Sequence, residues 1–196
     1  YLFGDHLLVA PVVARGLDAR DVTFPPGRWV DWFTGEVFEG GRTVSVAAPL
    51  EKLPLYLAEG GIVPLLRPTI DTTAPTTQPD RVDSYATAAG VLYPRVFPGA
   101  ASTFTLFDGA VITAEKNNGA VALTHADGTE FVLGALFEVV AAGAKPASVT
   151  IDGAAATEAG SLKDLELAAA GWAFDPANGG SVYVKVGPGA HTAAIR

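Results

Sequence analysis

The chain of 196 residues contains no cysteine and no methionine. Without cysteine, disulfides and thiolate metal sites are excluded, and the sequence carries no mark of an oxidising or reducing compartment. Charged residues are sparse, at 17%, and their balance is acidic, with a formal net charge of −8. A nucleic-acid partner demands a basic face that releases counterions, so no such partner is expected. There is no run of about 18 apolar residues, and hence no expected helical membrane span or membrane partner. The longest apolar stretch, Phe131 to Ala144, is broken by Gly134, Glu138 and Gly143. The three histidines, His6, His125 and His191, each lack a second histidine nearby. Neither a metal site nor any other cofactor is expected from them, and His125, just before Asp127-Gly128, is expected to face solvent.

What the chain does have is 49% hydrophobic residues, enough to bury a core, with Gly 22 and Pro 14 scattered along its length. That spread predicts many turns between short elements. Apolar runs at 7–13, 20–24, 28–33, 37–39, 43–47, 55–57 and 62–65 alternate with turn signals and predict strands. A second series is expected at 94–97, 102–107, 111–113, 121–124, 131–133, 148–153, 172–174 and 182–186. Asp108-Gly109, Asn118-Gly119 and Asp127-Gly128 tolerate the positive φ that tight hairpins need. Only Leu162 to Ala170 could be helical, and Leu165 and Leu167 also fit a strand. The expected fold is all-β, two consecutive antiparallel β-sandwich domains: a proximal one over 1–66, a Thr/Pro/Asp-rich linker over 67–84, and a distal one over 85–196. The start at Tyr1-Leu2-Phe3, without an initiator methionine, reads as the middle of a longer protein.

Three segments carry a resemblance to glycoside hydrolase family 31, the α-glucosidase and α-xylosidase family. Phe3-Gly4-Asp5-His6-Leu7-Leu8-Val9-Ala10-Pro11-Val12 is similar to the family's "FGD-x-LLVAPV" run. Pro26 to Gly35 is similar to its "P-x-G-x-W-Y-D-x-W-T-G" strand and hairpin. Leu53 to Pro64 is similar to "P-L-F-V-R-A-G-S-I-I-P". Beyond residue 90 the likeness thins to Tyr93–Gly99 and Phe104–Gly109, and the acidic stretch the family carries after "F-x-L-Y" is absent here. The resemblance implies a proximal sandwich packed on a catalytic barrel, followed by a distal sandwich. In the family both catalytic aspartates lie on barrel loops, and none of the matching segments includes either, so no catalytic residue is assigned.

On this reading the chain is a non-catalytic accessory region of a retaining α-glycosidase, and its partner is the barrel of a parent chain. Asp5, His6, Leu7 and Val9 are the candidate barrel-facing residues, with Val12 and the aromatics of Trp29 to Phe33 also expected at an uncovered face. That face would favour self-association of the isolated chain. Two alternatives stand beside it: a free-standing carbohydrate-binding module with Trp29 and Trp32 as a stacking platform, or a purely structural sandwich. Aromatics occur on both faces of the Trp29–Phe33 strand, which also suits a core or domain-interface role. Asp31, Glu36 and Glu39 form the nearest approach to a carboxylate cluster, and are expected to be solvated turn charges.

Overall fold

A computed structural model describes residues 1–196. It contains eighteen strands and one six-residue helix, so the all-β expectation holds. The first unit comprises β1 (Leu2–Phe3), β2 (Leu7–Val9), β3 (Ala19–Phe24), β4 (Arg28–Asp31), β5 (Val37–Glu39), β6 (Arg42–Ala47) and β7 (Leu55–Ala58). Five of these form a sheet in the order β1-β2-β7-β4-β5, while β3 and β6 pair as a separate two-stranded ribbon. Between the two layers lie Leu8, Val22, Phe24, Trp29, Phe38, Val46 and Tyr56. Phe24 stacks on Phe38 at 5.0 Å and meets the edge of Tyr56 at 4.8 Å, two of the geometries that aromatic quadrupoles favour.

The second unit is larger. It comprises β8 (Ile62–Leu65), β9 (Tyr93–Val96), β10 (Ser102–Thr105), β11 (Val111–Asn117), β12 (Ala120–Ala126), β13 (Ala135–Val139), β14 (Val149–Ile151) and β15 (Ala154–Ala155), followed by α1 (Leu162–Leu167), β16 (Gly171–Asp175), β17 (Ser181–Val186) and β18 (His191–Ile195). A six-stranded sheet, β10-β11-β12-β18-β14-β15, faces a five-stranded one, β16-β17-β13-β9-β8. Twenty-one buried residues fill the space between them. Asn118 and Gly119, at φ 49° and 83°, make the two-residue turn from β11 to β12.

Several elements differ from the sequence expectation. Strand β8, read in sequence with the first unit, hydrogen-bonds to β9 and joins the second sandwich. The sheet it joins is not purely antiparallel, because β9 and β13 run parallel. Phe131–Leu133 is not a strand. The Asp108 carboxylate accepts the backbone N–H groups of Glu130 and Phe131, so those donors are lost to a ladder, and the strand begins instead at Ala135. The stretch 67–84 folds back on itself: the Arg67 guanidinium donates to Asp83 and to the carbonyls of Ala88 and Ala89. His125 is buried rather than exposed, because β12 continues to Ala126 and its inward positions are Val121, Leu123 and His125. Neither ring nitrogen of His125 has a hydrogen-bond partner, and burial pushes its pKa down despite Asp127 nearby.

Candidate functional site

Two surfaces of the first unit could do work, one facing the second sandwich and one facing outward. The junction has an apolar centre of Val30, Leu57, Phe97 and Val140, with Leu7, Trp32 and Val37 packed around it. Backbone also touches backbone there. Gly35, at the tip of the β4–β5 hairpin, sits against the β16–β17 turn, and a Cβ on it would fall 1.6 Å from the Asn178 carbonyl oxygen. With φ at 69° as well, this position demands glycine twice over.

Polar groups ring that centre. Arg95 on β9 donates to the Trp32 carbonyl at 2.7 Å, and its guanidinium lies 4.3 Å from the Trp32 ring centroid. Across the sheet, Arg95 Nε is 3.5 Å from Glu138 on β13, which in turn accepts from Ser181 and Tyr183 on β17. These residues share a row because Arg95 pairs with Glu138 and Glu138 with Tyr183 in register. Burial, and then the Glu138 charge, pushes the Tyr183 phenol up to about 12.

Asp31 corrects the expectation of solvated turn charges: its residue is 2% exposed. One oxygen accepts the N–H groups of Phe33 and Thr34, which tightens the hairpin, and the other meets Lys52 at 2.9 Å. Burial pushes this carboxyl up, but the Lys52 ammonium and the two N–H donors outweigh it and hold the pKa below the usual carboxylate range. The hairpin thus uses Asp31 as a structural acceptor. Glu36 and Glu39 are exposed, as expected, and Glu39 lies 3.4 Å from Arg28.

The outward surface differs from the expected one. Asp5 is exposed and His6 half-buried, but Val9 is buried and Leu7 packs at the junction. The reason is β1, which pairs with β2 and takes over the edge of the sheet, leaving Leu2 and Phe3 open at 51% and 67% exposure. Eight of the thirteen exposed large apolar side chains, Tyr1, Leu2, Phe3, Val13, Leu17, Phe33, Leu50 and Leu53, fall within the first 53 residues. That concentration in little more than a quarter of the chain marks the first unit as the part with unmet apolar surface. Trp29 is not part of it. Its ring lies in the core and its indole N–H donates to Pro25. Trp32 is half-buried at the junction and carries Arg95 over its ring, so Trp29 serves the core and Trp32 the contact with the second sandwich.

Residues 1–63 match the glycosyl hydrolase family 31 C-terminal domain. The chain belongs to that family, as the three motif segments of its first 66 residues had implied. Among particular relatives, it is 29% identical over its whole length to an isomaltosyltransferase of Sporosarcina globispora, of which it covers 18%. Over 96% of its length it is 32% identical to a 1,6-alpha-glucosyltransferase of the same organism, covering 16% of that protein. The cycloalternan-forming enzyme from Listeria monocytogenes, solved in complex with a pentasaccharide substrate, superposes over the whole chain with a TM-score of 0.82 at 28% identity. The chain spans 18% of that structure, and so less than a fifth of each of these three relatives.

Proposed function

We propose that this chain is a non-catalytic bracing region of a retaining α-glycoside hydrolase or transferase, and that its first unit packs on the catalytic barrel. One observation carries this reading: the crowding of exposed apolar side chains, from Tyr1, Leu2 and Phe3 to Val13 and Leu50, into the unit that matches the family domain. The second sandwich, locked to the first through Arg95 and Trp32, stiffens that unit from behind. A retaining glycosidase needs two carboxyl groups about 5–5.5 Å apart around the scissile bond. The carboxylates of the junction are committed elsewhere, Asp31 to its hairpin and Lys52, and Glu138 to Arg95, Ser181 and Tyr183.

Two measurements test the reading. The purified 196-residue chain should show no turnover of aryl α-glucosides or α-xylosides; turnover abolished by changing any of its aspartates overturns the non-catalytic assignment. It should also self-associate at rising concentration, or bind a separately supplied family 31 barrel, in sedimentation velocity. A strictly monomeric chain that ignores the barrel overturns the bracing role.

A further inference from the structure

The outer face of the five-stranded sheet in the second sandwich is covered in two pieces. The first unit lies over Arg95, and α1 lies beyond it. Ser161 caps this short helix by accepting the N–H of Asp164, and Leu165 anchors it by complete burial. Between α1 and the β8 edge of the sheet is a partly open cavity of about 170 Å³, with Glu166 and Leu162 at its exposed rim. Its apolar wall includes Leu65, Leu66 and Leu136, and its polar lining is Tyr93, Tyr183, Glu138 and Glu166. We propose that this cavity binds one neutral polyhydroxylated ring, a single pyranose unit.

The polar groups are loosely engaged. Tyr93 Oη donates to Glu166 Oε1 at 3.4 Å and Tyr183 Oη to Glu138 Oε1 at 3.3 Å, both at the long end for hydroxyl donors. Each carboxylate oxygen has room for two hydrogen bonds, and the second oxygen of Glu138 meets only Arg95, at 3.5 Å. The cavity therefore offers spare acceptors beside aliphatic and aromatic surface, and asks for a ligand that brings hydroxyl donors on a C–H framework. Burial, and then the facing carboxylate, raises the pKa of each tyrosine, so both phenols remain protonated donors at neutral pH. Two carboxylates repel an anion. Arg95 already faces Glu138 at 3.5 Å, Lys185 donates to the Glu166 carbonyl at 2.6 Å and Glu166 itself is exposed to water, so neither a free cation nor an uncompensated buried charge asks for an ionic ligand. The volume is well below the roughly 300–1,000 Å³ of drug-sized pockets, so what fits inside it is about one ring. The choice of an α-glucosyl probe rests on the proposed function, whereas the demand for a neutral polyol rests on the cavity alone.

The test is a two-dimensional amide NMR titration of the 196-residue chain with methyl α-D-glucopyranoside. Saturable shifts are expected around Leu66, Tyr93, Glu166 and Tyr183, with a Kd on the order of 1–10 mM. Glu166→Gln, on an exposed helix position, and Tyr93→Phe should each weaken binding about tenfold while leaving distant resonances in place. Absence of saturation, shifts centred elsewhere, or binding indifferent to both variants would each overturn the proposal. A stronger response to protonated D-glucosamine or to inorganic phosphate would overturn its neutral-ligand part. Barrel docking is read separately by sedimentation, so sugar binding lost with docking intact sinks this site alone, and the reverse result sinks only the bracing role.

Discussion

The two sandwiches solve the same packing problem with unequal means. The second closes on a core of 21 buried residues between sheets of five and six strands. The first has eight core residues between a five-stranded sheet and a two-stranded ribbon, and leaves Leu2 and Phe3 in the open. A small core must offset the same backbone entropy per residue with less buried area. The first unit makes up part of the difference at the junction, where Val30 and Leu57 reach Phe97 and Val140 of its neighbour. An unequal pair of this kind teaches how a small core can lean on a larger neighbour through a shared apolar junction.

The largest effect expected from that inequality is on truncation. We propose a folding boundary at Gly60-Gly61, just before β8. A chain of residues 61–196 should then melt cooperatively with native-like far-ultraviolet dichroism, while residues 1–60 alone should give no cooperative transition. A first unit that folds unaided would break the comparison. In the intact chain, limited proteolysis should spare 67–84, which Arg67 holds down, even though its composition resembles a linker.

Leu57→Ala comes next. This side chain is fully buried at the junction, so its removal should cost about 2–5 kcal/mol in urea unfolding. The loss should appear first in the first unit, as a separated early transition followed by tryptophan fluorescence at Trp29 and Trp32.

Asp31→Asn sharpens the comparison through pH. The folded pKa of Asp31 lies below its unfolded value, so its contribution is fully present above the unfolded pKa, about 3.9. It is lost as pH falls from there through the lower folded value. The variant should lose about 1–3 kcal/mol at neutral pH, because Lys52 keeps its charge without a counter-ion. Its stability should also decline less steeply than the parent's on acidification, as measured by denaturant titrations between about pH 6 and 2.

The smallest stability effect belongs to the open edge. Leu2→Ser and Phe3→Ser together should change unfolding free energy by less than about 0.5 kcal/mol each, as surface substitutions do. They should nonetheless shift sedimentation toward monomer and weaken barrel binding. Unchanged association would mean that some other part of the first unit makes the contact.

Strand type and turn chemistry were legible in the sequence because both are local. Alternation in Arg20–Phe24 and Val182–Val186, and the Asn118-Gly119 pair, depend on neighbours in the chain and were read correctly. So were the motif segments of the first 66 residues, whose fixed order and spacing identified the family. What only the tertiary structure decided concerns which partner a segment finds. His191–Ile195, too short and too alanine-rich to stand out as a strand, becomes one because β12 and β14 flank it on both sides. Phe131–Leu133, which is rich in β-branched and aromatic residues, does not, because the Asp108 carboxylate takes the N–H groups of Glu130 and Phe131 where the strand would begin. Asp31 looked like a turn charge until Lys52, twenty-one residues on, supplied the cation that makes its burial tolerable. Tyr93, Glu138, Glu166 and Tyr183 are spread over ninety residues with no shared motif, and only the sheet register and one short helix bring them to the same cavity.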